Sequence, residues 1–370
     1  MAEADWYRVE NADEIPSPAL LIYRERVEEN IRRMVAIAGD ARRLRPHVKT
    51  HKMPGVVRLC MHHGIRKFKC ATIAEAEMVA QCSAPDVLVA YPLVGPNVGR
   101  FIQLVRAYPA TQFAAIADSE DGIRCLSEAS RAAGVVSRVW LDVDNGMHRT
   151  GVPPGTEALR LYRLIAGMPA LEPGGLHVYD GHIQERDPQE RRIRCDEDYA
   201  PVNELIRQIE RDGLPVPAVV AGGSPTFPIH AQREGIELSP GTTVFWDAGY
   251  RRNYPDMDFL CAAAVLTRVI SKPGPGRLCF DLGTKAVASE MPHPRVEILG
   301  LNMEQVLVHN EEHLVVECPD ADRWRIGDCF YGVPYHICPT TALYAEAHVV
   351  EGSRFTERWQ VVARARRLTL

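Results

Sequence analysis

The sequence contains no run of roughly 18 consecutive apolar residues, the length a membrane-spanning helix needs. Its start, MAEADWYRVENADEIPSPALL, lacks the basic region followed by an apolar core that marks a secretory signal. Both absences predict a cytoplasmic protein with no membrane partner. Basic charge is also scarce: 43 Lys and Arg against 48 Asp and Glu leave a formal net charge of −5, which supplies no basic field to hold a phosphate backbone. Nucleic acid is therefore not an expected partner. No candidate helix opens on GxGxxG, so the dinucleotide-binding fingerprint is missing. The 10 cysteines are scattered, most of them in apolar runs such as DFLCAAAVL and RLCFDLG, where free buried thiols are expected instead of disulfides. No internal repeat or low-complexity segment interrupts the chain.

What the sequence does contain is a rhythm. At 370 residues, 46% hydrophobic and 25% charged, the chain can bury one large core and a smaller one. Short β-rich apolar runs alternate with longer segments of helical period. The candidate strands are RLRPHVK (43–49), KFKCA (67–71), DVLVAY (86–91), QFAAIAD (112–118), RVWLDVD (138–144), GGLHVYD (174–180), PAVVAGG (217–223) and GIELSPG (235–241). Segments between them, such as AEAEMVAQC and APVNELIRQIERDG, repeat apolar residues at three and four, as core-facing helices do. The pattern predicts the α/β class, with an N-terminal (β/α)8 TIM barrel over residues 25–245. An open doubly wound sheet is the alternative. Beyond residue 245 the rhythm changes to CAAAVLTRVIS, GRLCFDLG, VEILGL, EQVLVH, EHLVVEC and WQVVARARRL. These runs predict an antiparallel β-domain of residues 246–370, joined by residues 1–24 through the strand-like SPALLIY.

Barrel enzymes carry their chemistry where the strands end. Lys49 follows RPHV, Asp118 follows FAAIA, DVDNGMHR follows VWL, Tyr179 and Asp180 follow LHV, and Gly222 to Thr226 follow AVV. Lys49 adjoins Val48 and Leu44, which should be buried, so its amine would be partly desolvated, as a Schiff-base lysine requires. Lys52 competes with it, and a lysine after a strand is by itself more often a solvated surface group. AGGSPTFP (221–228) and SPGTTVFW (239–246) are turns whose amides can face a phosphate after the seventh and eighth strands. Either alone reads as an ordinary turn. Arg149 in DNGMHRTGV is a fixed cation suited to an anionic oxygen such as a phenolate, with a surface ion pair as the plain alternative. His148 and His182 fit either solvent exposure or a place within their loops. In GVPYHICPTTALY (332–344), His336 and Cys338 stand two apart, and in an extended segment they would share one face and converge on one metal. Thiolate with imidazole favours zinc, ahead of manganese and other divalent ions. The adjoining Pro334 and Pro339 suggest a shaped loop in place of a plain strand.

The segments SPALLIY, RPHVKTHK, KFKCATIAEAE, DNGMHRTGV, YDGHI, AGGSPTFP, SPGTTVFWD and GVPYHICPT, in this order across residues 17–340, resemble the metal-dependent D-threonine aldolase and D-serine dehydratase group of the alanine-racemase-like pyridoxal-phosphate enzymes. The resemblance is closest to the aldolase-like members. It implies an N-terminal barrel and a C-terminal β-domain, a homodimer, and pyridoxal 5'-phosphate with a divalent metal, zinc or manganese and then magnesium. RPHVK would make Lys49 the Schiff-base residue, and PYHICPT would make His336 and Cys338 the metal ligands. MHRTG would set Arg149 on the phenolic oxygen of the cofactor, with Tyr179 against the ring and Gly222, Gly223, Ser224, Gly241 and Thr242 around the phosphate. The substrate implied is a D-configured β-hydroxy amino acid.

Two departures bear on the reaction. Aldolases of the group often carry His-x-Asp, whereas His336-Ile-Cys338 is the dehydratase-like form, and Asp180 stands where some aldolases have a histidine. In the aldolase reaction His182 or a metal-bound water would take the hydroxyl proton, and Cα–Cβ cleavage would give glycine and an aldehyde. In the dehydratase reaction Lys49 would take the Cα proton, giving a 2-oxo acid and ammonia. A racemase would have no use for a metal pair. A pyridoxal-phosphate carrier without activity would not need the β-domain, and a metal-only hydrolase would need a richer ligand set than the barrel segments show.

Overall fold

The computed structural model describes residues 5–370. They divide into two compact units: a barrel unit of Arg32–Lys49, Val57–Gly241 and Ala365–Leu370, and a β unit formed by the chain up to Ile31 with Thr50–Val56 and Thr242–Arg364.

In the barrel unit, seven parallel strands follow one another in chain order: Lys67–Cys70, Asp86–Val89, Gln112–Ala117, Ser137–Val143, Leu171–Val178, Val219–Ala221 and Ile236–Leu238. The apolar stretches in Asp86–Val89, Gln112–Ala117 and Val219–Ala221 suit strands covered on both faces. Crossover helices include Ile73–Gln81, Pro96–Ala107, Glu120–Ala133, Thr156–Gly167 and Pro188–Arg211. Their starts are set by side-chain caps: Thr72 accepts from the amide of Glu75, Ser119 from Gly122, and Asp187 from Gln189 and Glu190. Glu120–Ala133 stops where Gly134 takes the left-handed conformation, at φ +67°. Inside, Leu88, Ala114, Ile116, Trp140 and Val220 pack into one apolar cluster. Gly175 is required by close backbone approach, because a Cβ there would lie 1.8 Å from the carbonyl oxygen of Ala218.

The expected first strand, 43–49, is corrected by the structure. It forms no regular ladder, because Pro46 has no N–H to contribute. Leu44 bridges Leu238 and His47 bridges Lys69, both in parallel. The amides of Arg45 and His47 donate to Leu238 and Pro240 (both 2.8 Å), and that of Lys69 donates to Pro46 (2.9 Å). The segment thus joins the last strand of the sheet to the first. Lys49 does not end a strand but lies in the single 3-10 turn Val48–Thr50.

The β unit is built on one sheet in the order Gln305–His309, Leu314–Glu317, Arg277–Phe280, Ala263–Ser271, Ala19–Tyr23, Glu346–Glu351 and Arg354–Gln360. The strand expected in SPALLIY is present and central. It pairs antiparallel with Ala263–Ser271 but parallel with Glu346–Glu351, so the sheet is mixed and not wholly antiparallel. Glu346–Glu351 and Cys329–Pro334 were not expected as strands: the second contains Gly332 and Pro334, both poor strand signals. Gly332 is needed there because a Cβ would meet the Val296 side chain at 2.6 Å.

Candidate functional site

In the barrel unit, three cations gather on one aromatic ring. The Nζ atoms of Lys49 and Lys69 lie 5.8 and 5.4 Å from the centroid of Tyr179, and the guanidinium carbon of Arg149 lies 4.9 Å from it. Each cation comes from a different part of the barrel: the turn after the bridging segment, the strand Lys67–Cys70, and the loop after Ser137–Val143. Lys49 and Tyr179 are half-buried and Arg149 is exposed. Lys69 was not singled out from the sequence, yet it is the buried amine of the group, 3% exposed. Burial and the charge of Lys49 push its pKa down to about 7. The signal that could have found it is a second lysine at i+2 in a strand otherwise buried.

Beneath this ring the carboxylates are already committed. Asp142 accepts from His177 Nδ1 (2.7 Å) and Thr150 Oγ1 (2.8 Å). Burial opposes its charge, but these two donors and Arg149 hold its pKa below the usual carboxylate value. Asp180, where an aldolase-like histidine would stand, accepts from the Gly223 amide (3.0 Å), Thr226 Oγ1 (2.8 Å) and His230 Nε2 (2.7 Å). These bonds outweigh burial and keep it low as well.

The phosphate expectation falls on this network. Gly222 takes φ +83°, and a Cβ there would lie 3.1 Å from the Phe227 Cα, so the turn suits glycine alone. The amide of Gly223 is used by Asp180, and that of Gly241 donates to Ser224 Oγ (3.2 Å). A phosphate would therefore draw on other donors of the turn, among them the hydroxyl of the buried Ser224. Thr242 belongs to the β unit, where its hydroxyl faces Cys338.

His182 forms a dyad with Asp198 on the helix Pro188–Arg211, Nε2 to Oδ2 at 2.7 Å. Its Nδ1 is buried without a hydrogen-bond partner among the described residues. The imidazole covers Gly146, in the loop that carries Arg149: a Cβ on Gly146 would lie 2.6 Å from His182 Nε2. With Nε2 donating to Asp198, Nδ1 is left with the free lone pair a base needs. His148 is exposed and bound to Asp144 at 2.9 Å, and Asp118 accepts from the Gly151 amide at 2.9 Å. Both hold the loop in shape. Lys52 belongs to the β unit.

In the β unit, His336 and Cys338 do come together, but not by the expected extended geometry. His336 is the N-cap of the short helix Ile337–Thr341, and Cys338 lies within it. The charge of the imidazole favours the thiolate, and the hydroxyls of Thr50 and Thr242 stand 3.2 and 3.5 Å from the Cys338 sulfur. Burial raises the thiol pKa, but His336 and the two hydroxyls outweigh it and draw it below the ordinary value. The imidazole is opposed by burial yet pushed up to about 9, chiefly by Cys338 and then by Glu290, whose Oε1 lies 2.5 Å from Nδ1. Asp247, fully buried, accepts from the amide of Ile337 at 3.0 Å, and burial pushes its pKa up to about 6. An imidazole and a thiol drawn below its ordinary pKa, two residues apart and with Glu290 held on the ring Nδ1, make a donor set that fits a thiophilic divalent ion.

One other cluster brings three ligand types together among the described residues: Asp180, Cys195 and His230, all buried in the barrel unit. Both nitrogens of His230 are occupied, Nε2 by Asp180 and Nδ1 by the Arg233 guanidinium (2.5 Å). A guanidinium facing the imidazole opposes a cation there, so the cluster reads as a hydrogen-bonded brace for the Gly222–Gly223 turn.

Residues 22–248 match the model of the alanine racemase N-terminal domain, and residues 262–350 match that of a putative serine dehydratase domain. The chain belongs to the alanine racemase N-terminal domain family. Among curated relatives it is 28% identical to D-threonine aldolase of Arthrobacter sp. over 359 residues, covering 95% of this chain and 93% of that protein. It is also 28% identical to 3-hydroxy-D-aspartate aldolase of Paracoccus denitrificans over 366 residues, with 95% and 93% covered. The crystal structure of D-threonine aldolase from Filomicrobium marinum superimposes with a TM-score of 0.87 at 29% identity, covering 97% of this chain and 98% of that one. D-threo-3-hydroxyaspartate dehydratase from Delftia sp. HT23 shares the fold, with a TM-score of 0.82 at 24% identity and 94% and 97% covered. No helix among the described residues is long and apolar enough to cross a membrane.

Proposed function

We propose that the protein is a lyase that cleaves D-configured β-hydroxy amino acids of the D-threonine kind to glycine and an aldehyde, using pyridoxal 5'-phosphate and a divalent metal. The observation that carries this reading is the gathering of Lys49 and Arg149 on the ring of Tyr179 beside the Gly222–Gly223 turn. Lys49 would bear the cofactor, Arg149 would hold its phenolic oxygen, Tyr179 would lie against its ring, and Gly222, Gly223, Ser224, Gly241 and Thr242 would surround its phosphate. When bound, the cofactor supplies an electron sink for charge developing at Cα. His336 and Cys338 would hold the metal, zinc ahead of manganese and then magnesium, which would supply a Lewis acid. His182, oriented by Asp198, takes the hydroxyl proton on Nδ1. We further propose a cytoplasmic homodimer, for which light scattering of the purified protein gives the subunit count.

A second reading is favoured by Cys338, since His-x-Cys is the dehydratase-like ligand pair. There Lys49 takes the Cα proton and the hydroxyl departs, giving a 2-oxo acid and ammonia. Incubation with D-threonine, D-serine and D-threo-3-hydroxyaspartate separates the two. Glycine with an aldehyde supports the aldolase, and 2-oxo acid with ammonia supports the dehydratase. No product from any of them, in protein that carries its cofactor absorbance, defeats both.

A further inference from the structure

Lys69 is used by neither reading, and its surroundings are unlike those of Lys67 and Arg45. Two residues earlier on the same face of the same strand, Lys67 is paired with Glu237. Arg45, 1% exposed, is paired with Asp86 at 2.6 Å and Glu237 at 2.7 Å. Lys69 is buried to the same degree, yet its Nζ has no carboxylate partner among the described residues.

The charged groups around it explain why. From the turn at Val48–Thr50 comes Lys49, and from the loop after Ser137–Val143 comes Arg149; both are cations. From the strand Ser137–Val143 comes Asp142, whose oxygens are taken by His177 and Thr150. From the end of Leu171–Val178 come Tyr179, met by its ring, and Asp180, whose oxygens are taken by Gly223, Thr226 and His230. His177 is itself drawn below its usual pKa, chiefly by burial, so it adds no charge near neutral pH. The nearby carboxylates are thus bound to other donors, and positive charge is left in excess around one aromatic ring.

We propose that Lys69 is a specificity-determining residue whose ammonium receives a carboxylate of the amino-acid substrate, an inference that rests on the proposed reading of the same site. A ligand that stays bound suits a fixed cation, and Arg149 is one. A ligand that comes and goes suits an amine that sheds its proton when the site is empty, avoiding a buried unpaired charge, and regains it when an anion arrives. With its pKa drawn down to about 7, Lys69 meets that condition. Carboxylate binding above neutral pH should then take up a proton.

The test uses the cofactor-loaded protein and succinate, which cannot react, so it reads binding whether or not any lyase activity is found. Calorimetry at pH 8 in two buffers of different ionisation enthalpy gives Kd and proton uptake together. The native protein should bind succinate with uptake approaching one proton. Lys69→Met should weaken binding about tenfold or more and abolish the uptake while keeping the cofactor absorbance. Lys69→Arg should restore affinity without uptake. Unchanged Kd and uptake in Lys69→Met overturn the proposal, as does native binding with no uptake, a readout that stands even if Lys69→Met does not fold. Loss of the cofactor absorbance in Lys69→Met, regained in Lys69→Arg, also overturns it by moving Lys69 to the cofactor's phenolic oxygen. Absent lyase activity with the succinate result intact would count against the reaction and not against Lys69.

Discussion

Asp180→Asn offers a sharp check on how the phosphate turn is braced. The carboxylate accepts from the Gly223 amide, Thr226 Oγ1 and His230 Nε2, the last at 2.7 Å. Arg233 donates to His230 Nδ1, and a guanidinium has no lone pair to accept with, so the imidazole proton must sit on Nε2. Asparagine preserves the shape and can still accept from Gly223 and Thr226. Its NH2 group then meets the His230 N–H, donor against donor. A charged hydrogen bond contributes about 1.5–3 kcal/mol, and an unmet buried donor costs about as much again, so a loss of about 3 kcal/mol is expected. Urea denaturation at constant m-value measures it. The decisive step is the cycle with Arg233→Met. Without the guanidinium, His230 can carry its proton on Nδ1 and accept from Asn at Nε2, so the Asp180→Asn penalty should shrink by about 1 kcal/mol or more. Independent sites add within about 0.5 kcal/mol. Additivity at that level would refute the assigned tautomer and the brace built on it.

Three other outcomes follow from the same geometry. His336→Ala and Cys338→Ala should each lower bound metal, read by elemental analysis after dialysis, while leaving the cofactor absorbance in place; full metal retention in both would remove them as ligands. Gly222→Ala forces a side chain into φ +83° with its Cβ 3.1 Å from the Phe227 backbone. It should destabilise the protein by about 1–3 kcal/mol and weaken retention of added pyridoxal phosphate in a dialysis assay. His51 is buried, and burial with the charge of Lys52 lowers its pKa to about 3 from 6.5. The folded form resists protonation that the unfolded chain accepts, so this contribution is complete above pH 6.5 and is lost as pH falls from there toward 3. The stability curve should therefore lose up to about 1.4 kcal/mol per pH unit across that window, and His51→Gln should flatten it.

How far the sequence reached depends on the element. The strands from Lys67–Cys70 to Ile236–Leu238 were readable because most hold a short apolar stretch, such as DVLV, FAAIA and VVA, between polar or turn residues. The segment 43–49 was misread because its apolar pattern continues through Pro46, and composition does not show that a proline has replaced a ladder with two bridges. Cys329–Pro334 was missed for the converse reason: its pairing with Val296–Leu299 and Ala263–Ser271 overrides the weak strand signal of Gly332 and Pro334. The HxC pair was found by spacing of two, yet the convergence comes from a helix N-cap followed by the first helical turn.

The sequence alone determined the α/β rhythm, the family, and the identities of Lys49, Arg149, Tyr179, His336 and Cys338 as candidates. The rhythm rests on periodicity and turn chemistry, the HxC pair on its spacing, and the family with the roles of Arg149 and Tyr179 on the resemblance of motifs in chain order. Tertiary structure decided which charges are spoken for. Asp180 reads as one more strand-end acid until three donors close on it, and Lys69 reads as one more strand lysine until its neighbours prove to be cations and engaged carboxylates. Such partners lie tens to more than a hundred residues away in the chain, and the burial that gives their charges weight exists only once the strands close around them.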